Sequence, residues 1–187
     1  MIRFPLLSAD DAPEASKPLL AEARDRFGAV PNLHRILAAS PGALAVHHAA
    51  YDALEAGAFA PSELQLLYMA ISYENDCRYC MAGHTPLAKA AGAKPDHIAA
   101  IRDGTPLADA KLEALRVFAQ AMTRERGQVG DAAVEAFLNA GWTHAHVLDV
   151  ILAISLKVIT SYTNHVAATP HDPYMDRFAW DGPERER

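Results

Sequence analysis

The sequence predicts an all-α fold, and three observations support that prediction. Hydrophobic residues make up 51% of the 187 residues, which is enough for a folded core. Alanine is abundant while residues that favour strands rarely cluster, so the core is predicted to consist of packed helices. Helix-capping residues and prolines stand where helices should begin and end. We expect a single domain over 1–187, with a core at about 40–170 and a short N-terminal helical extension.

Four helices are predicted before the two cysteines. Gly28 ends the first, since glycine tolerates the left-handed backbone of a helix C-cap. Asn32 is expected to cap the second helix, and Ser40 followed by Pro41 to open the third. Pro61 opens the fourth. The predicted bounds are 13–28, 32–39, 40–57 and 61–75.

Five more helices are predicted from the cysteines onward. The cysteines themselves open one of them, and four others follow at 94–102, 109–126, 131–140 and 143–168. The last is apolar nearly all round, so we expect the other helices or a subunit partner to bury it. The tail after Pro170 is predicted to be a loop.

Charge and hydropathy exclude several partners. The formal net charge is −6, and the basic residues are interleaved with acidic ones rather than forming a stripe that could follow a phosphate backbone. Nucleic acid is therefore not an expected partner. The apolar run at the N-terminus is too short for a signal peptide, and no later run reaches the roughly 18 residues of a membrane span. We expect a cytoplasmic protein that does not bind a membrane.

The chain has two cysteines, Cys77 and Cys80, in a C-x-x-C spacing. With Asn75 or Asp76 as N-cap, both would lie in the first turns of a helix, where free N–H groups and the helix dipole favour a thiolate. His84 lies four residues after Cys80 and thus on the same helix face. A pair at this spacing can cycle between dithiol and disulfide, which predicts a redox function.

Other uses of the cysteine pair remain open. Cys77, Cys80 and His84 would supply three ligands to zinc, but the neighbouring sequence offers no second ligand pair for the fourth position. Covalent haem attachment is excluded because Met81, not histidine, follows the second cysteine. Two inert cysteines buried in the core would show the same spacing.

Histidines elsewhere give weaker signals. Adjacent or alternate positions on a helix point to different faces, so neither His47 with His48 nor His144 with His146 is expected to form a metal-ligand pair. His165, near the end of the last helix, either approaches the cysteines or is an ordinary hydrogen-bonded histidine of the core or an interface. We therefore predict no metal and no other cofactor.

The segment SYENDCRYCMAGHT resembles the core of the alkylhydroperoxidase D-like branch of the carboxymuconolactone decarboxylase superfamily. PNLHRILAASPGALAVHHAAYDAL resembles the helix pair upstream of that core, and SYTNHVAATPHDPY resembles the closing segment of the peroxidase-related members. The resemblance implies an alkylhydroperoxidase D-like helical bundle and a homo-oligomer, commonly a trimer or hexamer. It also implies reduction of organic peroxides or transfer of reducing equivalents to a peroxiredoxin. Members of the decarboxylase branch generally lack the cysteine pair.

Two positions depart from the family's pattern. The family's proton relay uses a glutamate twelve residues before the first cysteine, and Gln65, which cannot accept a proton at neutral pH, stands there. Tyr79 replaces a histidine that some members carry before the second cysteine. Glu74 is the better substitute for the relay glutamate, because Glu63 should face another side of its helix. Tyr79 and His165 are expected to bind substrate or support the site.

The predicted function is that of a thiol-dependent antioxidant oxidoreductase, an alkylhydroperoxidase or peroxiredoxin-type activity. Cys80, assisted by His84, and Cys77 would reduce a small hydroperoxide or a redox partner, with a dithiol or a thioredoxin- or lipoyl-type protein as reductant. Contact with His84 favours Cys80 as the attacking residue, whereas exposure favours Cys77. The alternatives are a non-catalytic or zinc-binding helical oligomer and a small-acid enzyme of the decarboxylase branch.

Overall fold

A computed structural model describes residues 4–183 and confirms the all-α prediction. The regular structure of these residues consists of nine α-helices and two short 3-10 helices. The α-helices are α1 (Lys17–Phe27), α2 (Asn32–Leu37), α3 (Pro41–Glu55), α4 (Pro61–Glu74), α5 (Arg78–Ala90), α6 (Pro95–Asp103), α7 (Ala110–Arg124), α8 (Gly130–Asn139) and α9 (His144–Ala167); the 3-10 helices are Glu14–Ser16 and Pro173–Phe178.

Most helix ends follow from their local sequence. Gly28 ends α1 with a φ of 77°, and the Ser40 side chain accepts a hydrogen bond from the backbone N–H of Ala43 at the start of α3. The prediction that Asn32 caps α2 is wrong, because Pro31 holds the cap position. The Asn32 amide instead donates to the carbonyl of Pro170, 3.2 Å away, and so ties the start of α2 to the C-terminal segment.

The C-terminal segment is not a plain loop, which corrects the prediction. It forms the 3-10 helix Pro173–Phe178 and buries Met175 and Trp180 against the helices. The Trp180 indole donates to the carbonyl of Arg102 at 2.9 Å, and the Arg102 guanidinium donates to two carbonyls of the segment. The prolines and charged residues of this segment are typical of a loop, so the sequence did not indicate that Trp180 is buried. An isolated tryptophan becomes part of a core only through contacts with distant residues.

Helix α4 lies at the centre of the fold. Every residue from position 66 to 72 is buried, so α4 has neighbours on all sides. It packs mainly on α5 and α7, and also contacts α6 and α9. Because its buried residues include Tyr68 and Ser72, the interior contains polar groups that need partners.

Helix α9 has two contrasting faces. One face is buried and carries Lys157, Thr160, Ser161 and Asn164 towards the interior. The other is an exposed apolar stripe at helical spacing, made of Leu148, Ile151, Val158, Tyr162 and Val166. The other helices of the chain therefore bury only one face of α9, whereas the prediction was that they or a subunit partner would bury it nearly all round. By length and composition α9 would also suffice to cross a membrane, a property that core helices share.

Candidate redox site

The start of α5 joins Cys77 and Cys80 in a disulfide, with 5.2 Å between their Cα atoms. Neither Asn75 nor Asp76 caps this helix, which corrects the prediction: Cys77 is the N-cap, and its Sγ accepts a hydrogen bond from the Cys80 N–H at 3.3 Å. Asp76 turns the chain between α4 and α5 with a φ of 49°. In the reduced protein, the same N–H group would stabilise a Cys77 thiolate.

Helix α9 provides further polar contacts to the sulfurs. The Asn164 amide nitrogen lies 3.4 Å from Cys80 Sγ and 3.7 Å from Cys77 Sγ, and so donates towards both. The Ser161 hydroxyl lies 3.7 Å from Cys80 Sγ. Sequence reasoning selected the neighbouring His165 and missed Asn164, although both belong to the same SYTNHVA segment. Donors of this kind favour the thiolate over the thiol.

His84 connects the disulfide helix to α4 and α9. Its Nδ1 lies 3.0 Å from Gln65 Oε1, and its Nε2 lies 3.0 Å from the Lys157 ammonium nitrogen. Because an amide oxygen only accepts, Nδ1 carries the proton and Nε2 accepts from Lys157. Burial, followed by the nearby Lys157 charge, holds the pKa of His84 well below its usual value. Gln65 therefore sets the tautomer of a neutral imidazole.

Lys157 is the site residue that sequence reasoning missed. It is 2% exposed, and no carboxylate forms an ion pair with it in the part of the chain that the structure describes. Burial lowers the pKa of Lys157 from 10.5 to about 7. A single charged residue within the otherwise apolar run VILAISLKVITSY was the available signal. This amine can hold or release a proton at neutral pH.

A cavity of about 80 Å³ lies beside these residues. Cys80, His84 and Lys157 line it, together with apolar and aromatic side chains that include Tyr51 and Tyr68. This volume is large enough for several water molecules or a small organic group.

Both cysteines are buried, Cys77 at 0% and Cys80 at 4% exposure, so the expectation that exposure favours Cys77 is wrong. The two sulfurs nevertheless line different spaces. Cys80 lines the inner cavity, whereas Cys77 borders a groove on the outer surface, next to Arg78, Asn164 and His165. Any molecule in the cavity would therefore meet Cys80 first.

Of the other predicted site residues, Tyr79 lines the cavity, whereas His165 lies at the outer groove. Glu74 Oε2 lies 3.7 Å from the guanidinium of Arg124 on α7, and Glu74 is not among the described residues that line the cavity. The Tyr79 hydroxyl donates to Asp172 at 2.5 Å, and its pKa is raised by burial and by that carboxylate. His165 is exposed, with its Nε2 3.3 Å from the Asp76 carbonyl.

His47 and His48 both contact a third histidine, although adjacent positions on a helix point to different faces. Both rings are buried, and both lie against His34 of α2, with ring centroids 4.8 and 5.4 Å from it. The two side chains leave α3 in different directions, but α2 packs across that surface and its histidine meets both. We call His34, His47 and His48 the histidine cluster.

Comparison with known proteins supports this assignment of fold and motif. The sequence model of the carboxymuconolactone decarboxylase family matches residues 42–121, which include the C-x-x-C pair, Gln65 and His84. The match covers a little under half of the chain. The predicted resemblance to the carboxymuconolactone decarboxylase superfamily is thereby confirmed. No curated protein matches the sequence.

Solved structures extend the likeness over nearly the whole length of the chain. It is similar to the alkylhydroperoxidase AhpD core of an uncharacterized peroxidase-related protein from Ralstonia eutropha JMP134, at 20% identity and a TM-score of 0.79, covering 92% of this chain and 93% of that one. A peroxidase-related protein from Silicibacter sp. TM1040 is also 20% identical, with a TM-score of 0.76 and coverage of 94% and 93%.

A third similar structure is the debrominase Bmp8, in a variant bound to 2,3,4-tribromopyrrole. It is 15% identical, with a TM-score of 0.78 and 95% coverage of both chains. Likeness at these identities establishes the shared fold, which is the alkylhydroperoxidase D-like helical bundle.

Proposed function

We propose that this protein is a thiol-dependent oxidoreductase that reduces small organic hydroperoxides. One observation carries the proposal: Cys80, half of a C-x-x-C disulfide, lines the same cavity as a buried amine with a pKa of about 7. A nucleophile that undergoes two-electron oxidation and a proton donor thus face one space.

The proposed reaction uses the reduced dithiol. The Cys80 thiolate attacks the distal oxygen of the hydroperoxide, the O–O bond breaks, and the alkoxide leaves as an alcohol after taking a proton. Cys80 becomes a sulfenic acid. The Cys77 thiolate then attacks Cys80 Sγ, hydroxide leaves as water after protonation, and the disulfide seen in the structure forms. Two thiols are oxidised for each hydroperoxide reduced.

Lys157 takes the place of the family's relay glutamate in this proposal. Its ammonium nitrogen contacts His84 and lines the cavity, so it is placed to protonate the leaving alkoxide. Because Gln65 keeps the ring proton on Nδ1, His84 Nε2 accepts a hydrogen bond from the ammonium group and so orients this proton donor. Glu74 pairs with Arg124 and is a weaker candidate for this role than the sequence indicated.

Regeneration needs an external dithiol. We propose that a dithiol or a thioredoxin- or lipoyl-type protein approaches the outer groove that Cys77 borders, and that its thiolate attacks Cys77 Sγ. Cys80 would then leave as the thiolate, assisted by the Asn164 amide that donates to it. Substrate and reductant would thus use different sides of the disulfide.

A single-turnover experiment tests the proposed function. Fully reduced protein is mixed with limiting cumene hydroperoxide, and the alcohol formed, the thiols lost and the disulfide are quantified by chromatography and mass spectrometry. We expect one alcohol and one Cys77–Cys80 disulfide for each hydroperoxide, and no alcohol above background from the Cys77→Ser/Cys80→Ser double variant. Equal alcohol formation by that double variant would reject the proposal and favour a thiol-independent enzyme.

Gln65→Glu should shift the pH dependence of peroxide reduction to higher pH. The new carboxylate would lie beside His84 and near Lys157, and an opposite charge at this range raises the pKa of a cationic group by about 1–3 units. The measurement is kcat/KM against pH for both proteins. Gln120→Glu, a buried glutamine on α7 that contacts Arg116, is the matched control and should leave the profile in place. An unshifted profile in Gln65→Glu would contradict the proposed relay.

Reductive dehalogenation is a second candidate, favoured by the aromatic lining of the cavity by Tyr51 and Tyr68. The Bmp8 structure shows this fold in a debrominase bound to a brominated pyrrole. The dithiol would supply two electrons, and each aryl bromide would give an arene, a bromide ion, a proton and the disulfide. Bromide release from a bromopyrrole by reduced protein, without turnover of hydroperoxide, would favour this candidate.

We also propose that the chain forms a cytoplasmic homo-oligomer, as the family resemblance implies, and that the apolar stripe of α9 is the interface. Leu148 and Val166 are 66% and 70% exposed at opposite ends of this stripe, a pattern typical of a face that packs on another helix. Leu148→Glu should therefore dissociate the protein into smaller species, measured by light scattering after size-exclusion chromatography.

Val117→Glu is the control for this variant, because Val117 is an exposed apolar residue of α7 outside the stripe. It should leave the molar mass unchanged. An unchanged mass for Leu148→Glu would contradict the proposed interface, and recovery of wild-type protein only with membranes would contradict the proposed location.

A further inference from the structure

The histidine cluster has the burial and the free nitrogen atoms of a ligand site. His34, His47 and His48 are 5%, 3% and 6% exposed. His34 Nδ1, His47 Nδ1 and His48 Nε2 are fully buried, and none makes a hydrogen bond within the described residues. A buried polar nitrogen without a partner costs about 1–3 kcal/mol, so three of them together need an explanation.

The geometry of the cluster suits a metal ion. One ligand nitrogen from each histidine lies within 4.8 Å of those from the other two. Three imidazole nitrogens on a tetrahedral ion, each about 2.0–2.1 Å from it, lie about 3.3 Å from one another. Binding would therefore draw the three nitrogens closer together by up to about 1.5 Å.

The histidines are also in the protonation state that a metal requires. Burial lowers the pKa of His47 to about 3 and holds the pKa of His34 well below its usual value. Both rings are therefore neutral at pH 7, and a neutral imidazole binds a metal without first losing a proton. Arg26, a cation near the cluster, forms an ion pair with Asp52, and this pairing reduces its repulsion of a bound metal ion.

A carboxylate stands where an outer partner of a metal-bound histidine is expected. Glu22 Oε1 lies 3.2 Å from His48 Nδ1 but outside hydrogen-bond geometry, so neither nitrogen of His48 has a hydrogen-bond partner within the described residues. A rotation of the ring that turned this contact into a hydrogen bond would orient the imidazole and make Nε2 a better ligand. Glu22 also offsets part of the charge of a cation in the cluster.

We propose that His34, His47 and His48 bind a divalent first-row transition metal ion, of which Zn²⁺ is the representative. His34 and His47 line the cavity that Cys80 also lines, so the fourth coordination position would open towards that cavity. Three protein ligands and one open position are the arrangement of catalytic rather than structural zinc. The site is independent of the proposed dithiol chemistry, since neither cysteine supplies a ligand.

Cobalt titration of the oxidised protein tests this site. Chelator-treated protein with an intact disulfide is titrated with Co²⁺, and the visible ligand-field bands of four-coordinate cobalt are recorded. We expect saturation at one Co²⁺ per chain, displacement by Zn²⁺, and the same result for Cys77→Ser/Cys80→Ser. The His47→Gln/His48→Gln variant should bind about 100-fold more weakly or not at all, whereas His144→Gln, at an exposed histidine of α9, should bind as wild type does.

Crystals of wild-type protein soaked in Co²⁺ provide a measurement that does not depend on the folding of any variant. An anomalous peak between the three histidine rings would support the proposal. The absence of saturable binding by wild type, equal affinity in the double histidine variant, or an anomalous peak at the cysteines would overturn it. None of these outcomes involves hydroperoxide, so they can be separated from failure of the proposed function.

Discussion

Replacing Cys80 with serine is expected to lower kcat/KM for a small organic hydroperoxide by about 10⁴-fold or more, because the variant lacks the nucleophile that faces the cavity. A serine hydroxyl is not ionised at neutral pH and does not attack an O–O bond at a useful rate. The measurement is steady-state consumption of cumene hydroperoxide with dithiothreitol as reductant. Thermal unfolding should remain close to that of the reduced wild type, since the substitution exchanges one atom.

Cys77→Ser is the matched control for Cys80→Ser. It leaves the attacking residue in place, so its first turnover should proceed and then stop at a Cys80 sulfenic acid, which a dimedone adduct would identify by mass. The reverse pattern, with an adduct on Cys77 in the Cys80→Ser variant and none on Cys80 in the Cys77→Ser variant, would show that attack comes from the other sulfur.

Replacing Lys157 with methionine is expected to raise the free energy of unfolding and to lower kcat for peroxide reduction. Methionine has a similar shape and no charge to bury, and such replacements of buried charges raise the unfolding free energy by about 1–4 kcal/mol. Loss of the bond to His84 Nε2 offsets part of that gain. Loss of the proton donor should lower kcat by about 10²-fold or more. The measurements are urea unfolding and peroxide kinetics on the same preparations.

The pH dependence of stability distinguishes this account of Lys157 from a general packing effect. The pKa of Lys157 is about 7 in the folded protein and 10.5 as its reference value, so between these limits the unfolded chain binds more protons. Wild-type unfolding free energy should therefore rise by up to about 1.4 kcal/mol per pH unit above pH 7. Below pH 7 both states are protonated and the cost of burial is fully present.

Four other buried groups with shifted pKa values titrate outside this interval. The pKa values of His34, His47 and His84 are lowered, so these groups affect stability below about pH 6.5, and the raised pKa of Tyr68 acts only above about pH 10. Between about pH 7 and 9.5, the Lys157→Met variant should show a nearly flat unfolding free energy. Lys89→Met, at an exposed lysine of α5, is the control and should retain the wild-type slope. Equal slopes in wild type and Lys157→Met would contradict the lowered pKa.

Local sequence was sufficient to predict the helices and the dithiol. Helix ends such as Gly28 and Ser40 depend on the residue at the cap and its immediate neighbours, and the C-x-x-C-x-x-x-H motif lies within one helix and its cap. Predictions from local sequence were wrong where a side chain contacts a distant part of the chain instead of its own helix. Asn32 was expected to cap its own helix, but it binds the C-terminal segment instead.

The relay at His84 shows the same limit. Gln65 was recognised as a departure from a glutamate relay, and local reasoning placed the compensation nearby, at Glu74. The structure places a lysine on α9 against His84, and Glu74 against Arg124. Lys157 follows His84 by 73 residues in the sequence. Helical periodicity shows which face of a helix is apolar, but it does not show which other helix packs against that face.

The sequence by itself therefore determined an all-helical protein with a cysteine pair at a helix start, because caps, periodicity and motif spacing act within a few residues. Only the tertiary structure decided which polar side chains share an interior space. The packing of α9 on α5 brings Asn164 and Lys157 to the disulfide helix, and the packing of α2 on α3 brings His34 to His47 and His48. These contacts follow from the way whole helix faces fit together, which depends on all their side chains at once.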